Sequence, residues 1–266
     1  MEPPYNEIVT AGPYVFTVGD ICFDYESGVH PDFKVADWIW WGNEVRNETQ
    51  FILHTLTKRL EVVNSSLENA VHCTVYLTEI EDLYEVDLVW KQFFGDDPPT
   101  QTVAPLRGLG LPRLEGARGH RQNALKMESM FQSIRPGLGV EKETVSTGVE
   151  PLAHEAGATR AGPLLWVSEQ FAGGTDGLLT APDTPGQLGY IFERLAAICE
   201  TGGTSLDNLL RVRAFVTDVH ESYAVYAALR KAVPSDPPCV AITGVPAPLQ
   251  VPGCTVIVGA VAYLPE

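Results

Sequence analysis

The chain has 266 residues, of which 45% are hydrophobic and 20% charged, so it can form one large or two ordinary globular domains. Its 34 acidic and 18 basic residues give a net charge of −16. Proteins that bind a nucleic-acid backbone or an anionic membrane surface need a basic face. The charge balance therefore argues against both classes of partner.

The five cysteines are scattered, and no pair of them has the spacing of a metal site or a redox motif. No apolar run reaches the 18 residues that would indicate a membrane-spanning helix. The first residues, MEPPYNEIV, lack the basic and apolar regions of a secretion signal. We therefore expect a cytoplasmic protein without disulfides, bound metal or cofactor.

Two segments of the chain recur at a nearly constant spacing. TAGPYVFTVGDI, from Thr10, resembles RAGPLLWVSEQF, from Arg160, at an offset of 150 residues. SLENAVHCTVYLTEIEDLYEV, from Ser66, matches SLDNLLRVRAFVTDVHESYAV, from Ser205, at an offset of 139. The pattern predicts two copies of one domain, with a net insertion near residues 21–45 of the first copy.

Both copies predict the same order of elements. Apolar runs around Ala-Gly-Pro indicate a β-hairpin, and a helix follows over Glu44–Val62 in the first copy and Pro185–Thr201 in the second. A buried strand, a second helix, a strand after Asp-Pro-Pro and a last apolar strand complete each copy. This ββαβαββ order predicts an α+β fold with two helices on one face of a mixed sheet. We expect the domains at 1–136 and 148–266, with a linker at 137–147.

The opening YNEIVTAGPYVFTVGD, the block SLENAVHCTVYLTEIEDL and the strand after the prolines resemble the Rid (YjgF/YER057c/UK114) superfamily, once in each copy. The resemblance implies two tandem chorismate-mutase-like domains with ligand clefts between domains. It also implies a homo-oligomer, with a trimer favoured over a dimer. Known members hydrolyse reactive enamines and imines to ketones and ammonia.

Neither copy keeps the arginine with which deaminating relatives hold the substrate carboxylate. That position is Gln101 in the first copy and Val240 in the second. The resemblance therefore does not carry over the standard arginine-dependent mechanism.

Three positions of the first copy form the predicted catalytic set. The water-positioning glutamate on the last strand of relatives is matched by Glu128, and in the second copy by Gly259. The N-terminal tyrosine of relatives is matched by Tyr5, and in the second copy by Glu155. We expect Glu128, with Gln101 and Tyr5, to move protons or to place water. The alternative for Glu128 is a surface or interface salt bridge.

Two further positions depart from the family pattern. The Ser-Gly pair of relatives appears as Val18-Gly19 and as Ser168-Glu169, and an asparagine on the second helix is replaced by Asp87. We expect Asp87 and Glu169 to contact the substrate. For Glu169, a solvated strand end is the alternative.

An arginine-rich segment lies between Ala104 and Glu128. Because guanidinium groups bind carboxylates in a bidentate manner, this segment favours an anionic small-molecule substrate. The alternative is that these residues pair with the acidic surface of the protein. The predicted substrate-binding residues of the segment are Arg107, Arg118, His120 and Arg121.

Two other features have structural interpretations. Cys239 lies beside the lost arginine position, but nothing nearby in the sequence would activate a thiolate, so we expect a small buried hydrophobic residue. The aromatic cluster of the insertion, Trp38, Trp40 and Trp41, is predicted to pack or to cover an interface.

The resulting functional hypothesis is an enzyme that acts on a small carboxylated metabolite. The reaction is hydrolysis or deamination of an imine- or enamine-type compound, or a cyclisation or isomerisation in a specialised pathway. The second copy, apolar where a site is expected, would supply mainly one wall of the cleft. The alternative is a non-catalytic small-molecule-binding or assembly protein with the same fold.

Overall fold

A computed structural model of the protein describes residues 5–24, 28–30, 44–109, 125–149, 151–174 and 178–265. The predicted substrate-binding residues Arg118, His120 and Arg121, like the three tryptophans of the insertion, lie outside these ranges.

The first half contains seven strands and two helices within the described residues. They are β1 (Ile8–Ala11), β2 (Tyr14–Thr17), β3 (Phe23–Asp24), β4 (Gly28–Val29), α1 (Glu44–Val62), β5 (Ala70–Leu77), α2 (Leu83–Phe94), β6 (Thr100–Pro105) and β7 (Met127–Ile134). The second half contains β8 (Lys142–Val145), β9 (Ala158–Ala161), β10 (Leu164–Gln170), α3 (Thr184–Thr201), β11 (Leu209–Val216), α4 (Ser222–Ala232), β12 (Cys239–Gly244) and β13 (Val256–Tyr263).

The two main sheets share one strand order. The first sheet runs β1-β2-β7-β5-β6, and the second runs β9-β10-β13-β11-β12 with β8 added outside β9. In each sheet the last two strands are parallel and the other neighbours antiparallel. The tandem α+β fold with mixed sheets is thus confirmed. Strand β8 lies within the segment predicted as a linker.

Each helix buries one apolar face against its own sheet. In α1 the buried residues Ile52, Leu53, Leu56 and Leu60 recur at helical spacing. Helix α3 begins after Asp183, whose carboxylate accepts a hydrogen bond of 2.9 Å from the Gly186 N–H, and has a proline in its first turn. These local signals explain why the predicted helices agree with the observed ones within one residue.

The register of strands β7 and β13 shows which residue of the second copy is equivalent to Glu128. Glu128 lies opposite Tyr76 in the first sheet, and Ile257 lies opposite Phe215, the counterpart of Tyr76, in the second. The structural counterpart of Glu128 is therefore Ile257, and the match to Gly259 was wrong by two residues. The loops before β7 and β13 differ in length, so sequence similarity alone did not align these strands.

The second domain covers the edge strand of the first sheet. All six residues of β6 are buried, whereas its counterpart β12 is exposed or half-buried along its whole length. A shared apolar cluster joins the domains: Ala104 of β6 packs with Phe215, Ile257 and other residues of the second domain. The expectation that Cys239 is buried was wrong, because it lies on β12 and is exposed.

Candidate functional site

The contact between β6 and the second domain forms a polar cleft. The backbone N–H of Gln101 donates to Ser168 Oγ at 2.8 Å, and the Gln101 side-chain amide donates to the carbonyl of His154 at 3.2 Å. Asp87 Oδ1 on α2 accepts from the His154 backbone N–H at 2.5 Å. Gln101 and Asp87, both predicted as site residues, thus bind the same segment of the second domain.

Two carboxyl groups of the second domain lie in this cleft. Burial raises the pKa of Glu155 to about 8, despite hydrogen bonds with the Ser168 side chain and the Gln101 backbone. Burial also raises the pKa of Glu169 well above its usual range, and the Glu155 carboxyl adds to that rise, whereas Thr102 and Arg213 oppose it. Perturbed carboxyl groups in a cleft are typical of acid–base sites. Glu169 follows Ser168, which binds the Gln101 backbone, and its carboxyl group interacts with Thr102, the residue after Gln101.

Ser168 joins the two sides of the contact. Its Oγ donates to the carbonyl of Ala156 at 2.7 Å and accepts from the Gln101 backbone N–H. The raised pKa of Glu155 therefore comes from burial, against the effect of Ser168 and Gln101.

Several buried oxygen atoms around the cleft lack a hydrogen-bond partner among the described residues. They are Oε1 of Gln101, Glu169, Gln170 and Gln250. Each of the three amide nitrogens donates to a backbone carbonyl, which fixes the direction of the amide. Buried polar atoms are normally paired. The cleft therefore presents acceptors to water or to a ligand that carries N–H or O–H groups.

The enclosed part of the cleft is small, and one guanidinium lines it. Its volume of about 40 Å³ is room for roughly three water molecules or one small polar group. Arg194 of α3 donates to the carbonyls of Phe171 and Gly173 at 3.2 and 2.8 Å, and its buried Nε has no partner within the described ranges. The cleft thus suits a small ligand with several donors.

The two domains carry their carboxylate on different strands. In the first domain a Cβ atom on Gly19 would lie 2.1 Å from Glu128 Oε1, so the glycine makes room for the glutamate of the last strand. In the second domain the counterpart of Gly19 is Glu169, and the counterpart of Glu128 is the apolar Ile257. A carboxyl group is thus present in both domains, but in the second it comes from β10.

The structure separates the remaining predicted site residues from this cleft. Glu128 lies next to Gly19, and its pKa is raised by burial and by the Asp20 carboxylate of its own domain. Tyr5 is 52% exposed, and Arg107 is exposed. The role of Glu128 in catalysis stays a prediction.

Sequence reasoning did not select several residues of the cleft. Two of them could have been selected from the sequence. The repeat offset of 150 residues aligns Glu155 with Tyr5, and Ser168 occupies the serine position of the Ser-Gly pair of relatives. No sequence pattern indicated Arg194, Gln170 or Gln250, because a single polar residue on a helix, at a strand end or in a loop does not predict a site.

Two kinds of feature are absent from the described ranges, a membrane-spanning helix and a metal-binding cluster. No helix there is long and apolar enough to cross a membrane. No group of three or more histidine, cysteine, aspartate or glutamate residues in these ranges has the geometry to hold a metal ion.

Known proteins match less than half of the chain. The model of the family described as endoribonuclease L-PSP matches residues 1–114. A RutC family protein from Pyrococcus abyssi is 24% identical over 106 residues, which are 40% of this chain and 76% of that protein. The mitochondrial protein mmf2 from Schizosaccharomyces pombe is 27% identical over 100 residues, 38% of this chain and 70% of that protein.

Solved structures also match less than half of this chain. RidA from a Psychrobacter species has a TM-score of 0.42 and 20% identity, over 46% of this chain and 98% of its own. A YjgF/YER057c/UK114 family member from Mycobacterium tuberculosis has a TM-score of 0.41 and 26% identity, over 46% and 99%.

The raised pKa of Glu155 predicts a dependence of stability on pH. Between about pH 4.5 and about pH 8 the folded protein holds a proton that the unfolded chain releases, so this group's stabilisation declines as pH rises through that window. In Glu155→Gln this contribution is absent. Urea unfolding at pH 5 and pH 8 should therefore show a smaller loss of unfolding free energy in the variant than in the wild type.

The control is Glu61→Gln, because Glu61 is exposed on α1. It should reproduce the wild-type difference between the two pH values. An equal pH difference in Glu155→Gln and the wild type would show that Glu155 is not protonated in the folded protein.

Proposed function

We propose that the interdomain cleft of this chain, whose first 114 residues are similar to the family described as endoribonuclease L-PSP, hydrolyses a small imine- or enamine-type compound to a carbonyl product and ammonia. The observation that carries the proposal is the pair Glu155 and Glu169, two half-buried residues whose carboxyl groups have pKa values raised by desolvation and lie beside unpaired acceptor oxygens. Carboxyl groups with raised pKa values act as general acids near neutral pH.

Glu169 is the proton donor in this proposal. In its acid form it protonates the imine nitrogen, and water then forms a C–O bond to the imine carbon. The resulting Glu169 carboxylate takes a proton from that oxygen and returns it to the nitrogen. The C–N bond breaks, ammonia leaves, and the hydroxyl proton passes to the Glu169 carboxylate, which gives the ketone and restores the acid form of Glu169. The sum is one imine plus one water, giving one carbonyl compound and one ammonia.

Glu155 and the amide oxygens set the conditions for this step. Burial, with a further contribution from the Glu155 carboxyl, raises the pKa of Glu169, so the acid form persists where an isolated glutamate would be ionised. The unpaired oxygens of Gln170 and Gln250 accept hydrogen bonds from the N–H groups of the substrate and the carbinolamine. These groups favour a nitrogen-bearing ligand over one recognised by its carboxylate alone.

A substrate carboxylate, where present, is assigned to Arg194. Arg194 supplies a cation at the wall of the described cleft, and its unpaired Nε–H is a donor suited to a carboxylate oxygen. The substrate therefore still carries the carboxylate expected from the sequence. The arginine that binds it is Arg194 instead of an arginine from the segment between Ala104 and Glu128.

The proposal predicts the effect of Glu169→Gln on imine hydrolysis. Imines are generated in the assay by an amino-acid oxidase or by an amine oxidase, so that substrates with and without a carboxylate are compared. Ammonia release should fall by at least about 100-fold in Glu169→Gln, because the general acid is lost. We expect weak or no activity on 2-aminoacrylate, for which relatives use their arginine.

The controls separate the alternatives. Glu61→Gln, on the exposed side of α1, should keep the wild-type rate. If Glu128→Gln abolishes hydrolysis while Glu169→Gln does not, the site lies in the first domain. If no imine of either class is hydrolysed faster than without protein, the enzyme proposal fails and the non-catalytic binding protein remains.

We also propose that copies of the chain associate through β12. The same strand in the first domain, β6, is fully buried by a second domain, whereas β12 is exposed or half-buried. Half-buried Val240 lies on this strand. Sedimentation equilibrium should show an oligomer, with a trimer favoured over a dimer, and Val240→Arg should weaken it. A monomer at every concentration would contradict the proposal.

A further inference from the structure

A second polar space lies between the two sheets, on the sheet faces opposite the helices. In β5 the residues Cys73 and Val75 belong to the core of the first domain, so His72 and Thr74 point to the other face of the sheet. Arg213 of the second domain donates a hydrogen bond of 3.2 Å to Thr74 Oγ1. This face of the first sheet therefore lies against the second sheet.

The facing strand of the second domain carries two cations. In β11 the residues Val212 and Ala214 belong to the core of the second domain, so Arg211 and Arg213 point to the opposite face. At the repeat offset of 139 residues, the two arginines stand where β5 has a histidine and a threonine. The positive charge on these faces thus comes from the second copy of the domain.

A cavity of about 50 Å³ separates the two faces, and both domains contribute to its walls. It has room for roughly four water molecules or for one small ion. It shares no lining residue with the cleft around Glu169. The polar residues of its wall are His72, Thr74, Thr102, Gln132, Arg211 and Arg213.

The two arginines of this cavity have no carboxylate partner. Neither Arg211 nor Arg213 forms an ion pair with a residue that the structure describes. Glu169 interacts electrostatically with Arg213, but burial favours the acid form of Glu169. Burial, followed by the charges of Arg213 and Arg211, lowers the pKa of His72 to about 3, so the ring is neutral and both guanidinium groups lie near it. Neighbouring charges of one sign attract a counter-ion.

The cavity wall also offers hydrogen-bond donors from both domains. Gln132 Oε1 accepts from the Trp166 indole N–H at 2.8 Å, and the Gln132 amide N–H groups have no partner among the described residues. Thr74 Oγ1 accepts from Arg213 and keeps its own hydrogen to donate. The Arg211 guanidinium makes no hydrogen bond to a described residue. Donors on several walls match the several oxygens of a tetrahedral anion.

We propose that the cavity between the sheets binds a small tetrahedral oxyanion of the phosphate or sulfate type, held by the guanidinium groups of Arg211 and Arg213. Because its donors come from strands of both domains, the anion binds only when the domains are in contact. It therefore stabilises the contact that also forms the cleft. The site does not depend on the proposed function, since no residue of the cleft lines it.

Isothermal titration calorimetry of the full chain with phosphate and with sulfate, at an ionic strength held constant with sodium chloride, measures the affinity. Both anions should bind saturably, at one site per chain. Arg211→Gln should weaken binding at least about 10-fold, because a charge-assisted contact is lost. Arg211 is exposed, so the folded structure should tolerate this change. The control Arg230→Gln removes an exposed arginine of α4 outside the cavity and should keep the wild-type affinity.

A crystal of the full chain soaked with selenate locates the ion through the anomalous signal of selenium. The ion should lie between the guanidinium groups of Arg211 and Arg213. Selenate bound only beside Arg194 in the cleft, adventitious surface ions only, or an unchanged affinity in Arg211→Gln would overturn the proposal.

Phenyl phosphate distinguishes a free ion from the phosphate group of a larger metabolite. The cavity has no room for the ring, so phenyl phosphate should bind more weakly than phosphate. Equal or tighter binding would overturn the assignment of a free ion. Phosphate binding that depends on Arg211 in a protein without imine hydrolysis would keep this site and remove only the proposed function.

Discussion

The bond between the Gln101 backbone N–H and Ser168 Oγ is the contact on which the rest of the site depends. It joins the edge strand of the first sheet to the second domain at 2.8 Å and lies next to both buried carboxyl groups. The apolar cluster around Ala104 and Phe215 adds hydrophobic packing to the same domain contact. Burial of β6 and the raised pKa values of Glu155 and Glu169 are consequences of one domain contact.

The two copies of the domain carry their glutamate at different positions of the fold. The first copy has glycine on the hairpin strand and a glutamate on the last strand, whereas the second has Glu169 and Ile257 at these positions. Gln101 contributes a neutral amide and Glu155 a carboxyl group to the domain contact. Together with the unpaired oxygens of Glu169, Gln170 and Gln250, they make the described cleft rich in hydrogen-bond acceptors.

The sequence predicted the fold better than the site, for physical reasons. Helical periodicity, Asp183 before its helix and the repeat offsets are local signals, and they placed the helices within one residue. Glu128 and Ile257 occupy equivalent positions because of the register of their sheets. The loops before the two strands differ in length, so a sequence comparison does not align these positions. The cleft depends on a contact between β6 and β10, which are 67 residues apart at Gln101 and Ser168, and no local pattern encodes that contact.

The position of a bound probe in a crystal of the full chain soaked with propionamide, whose planar amide carries N–H donors, tests whether the interdomain cleft is the site. We expect the amide in this cleft, with its nitrogen in hydrogen-bond contact with the unpaired oxygens of Glu169 and Gln170. An amide bound beside Glu128, or a cleft that holds only water at saturating amide, would contradict it.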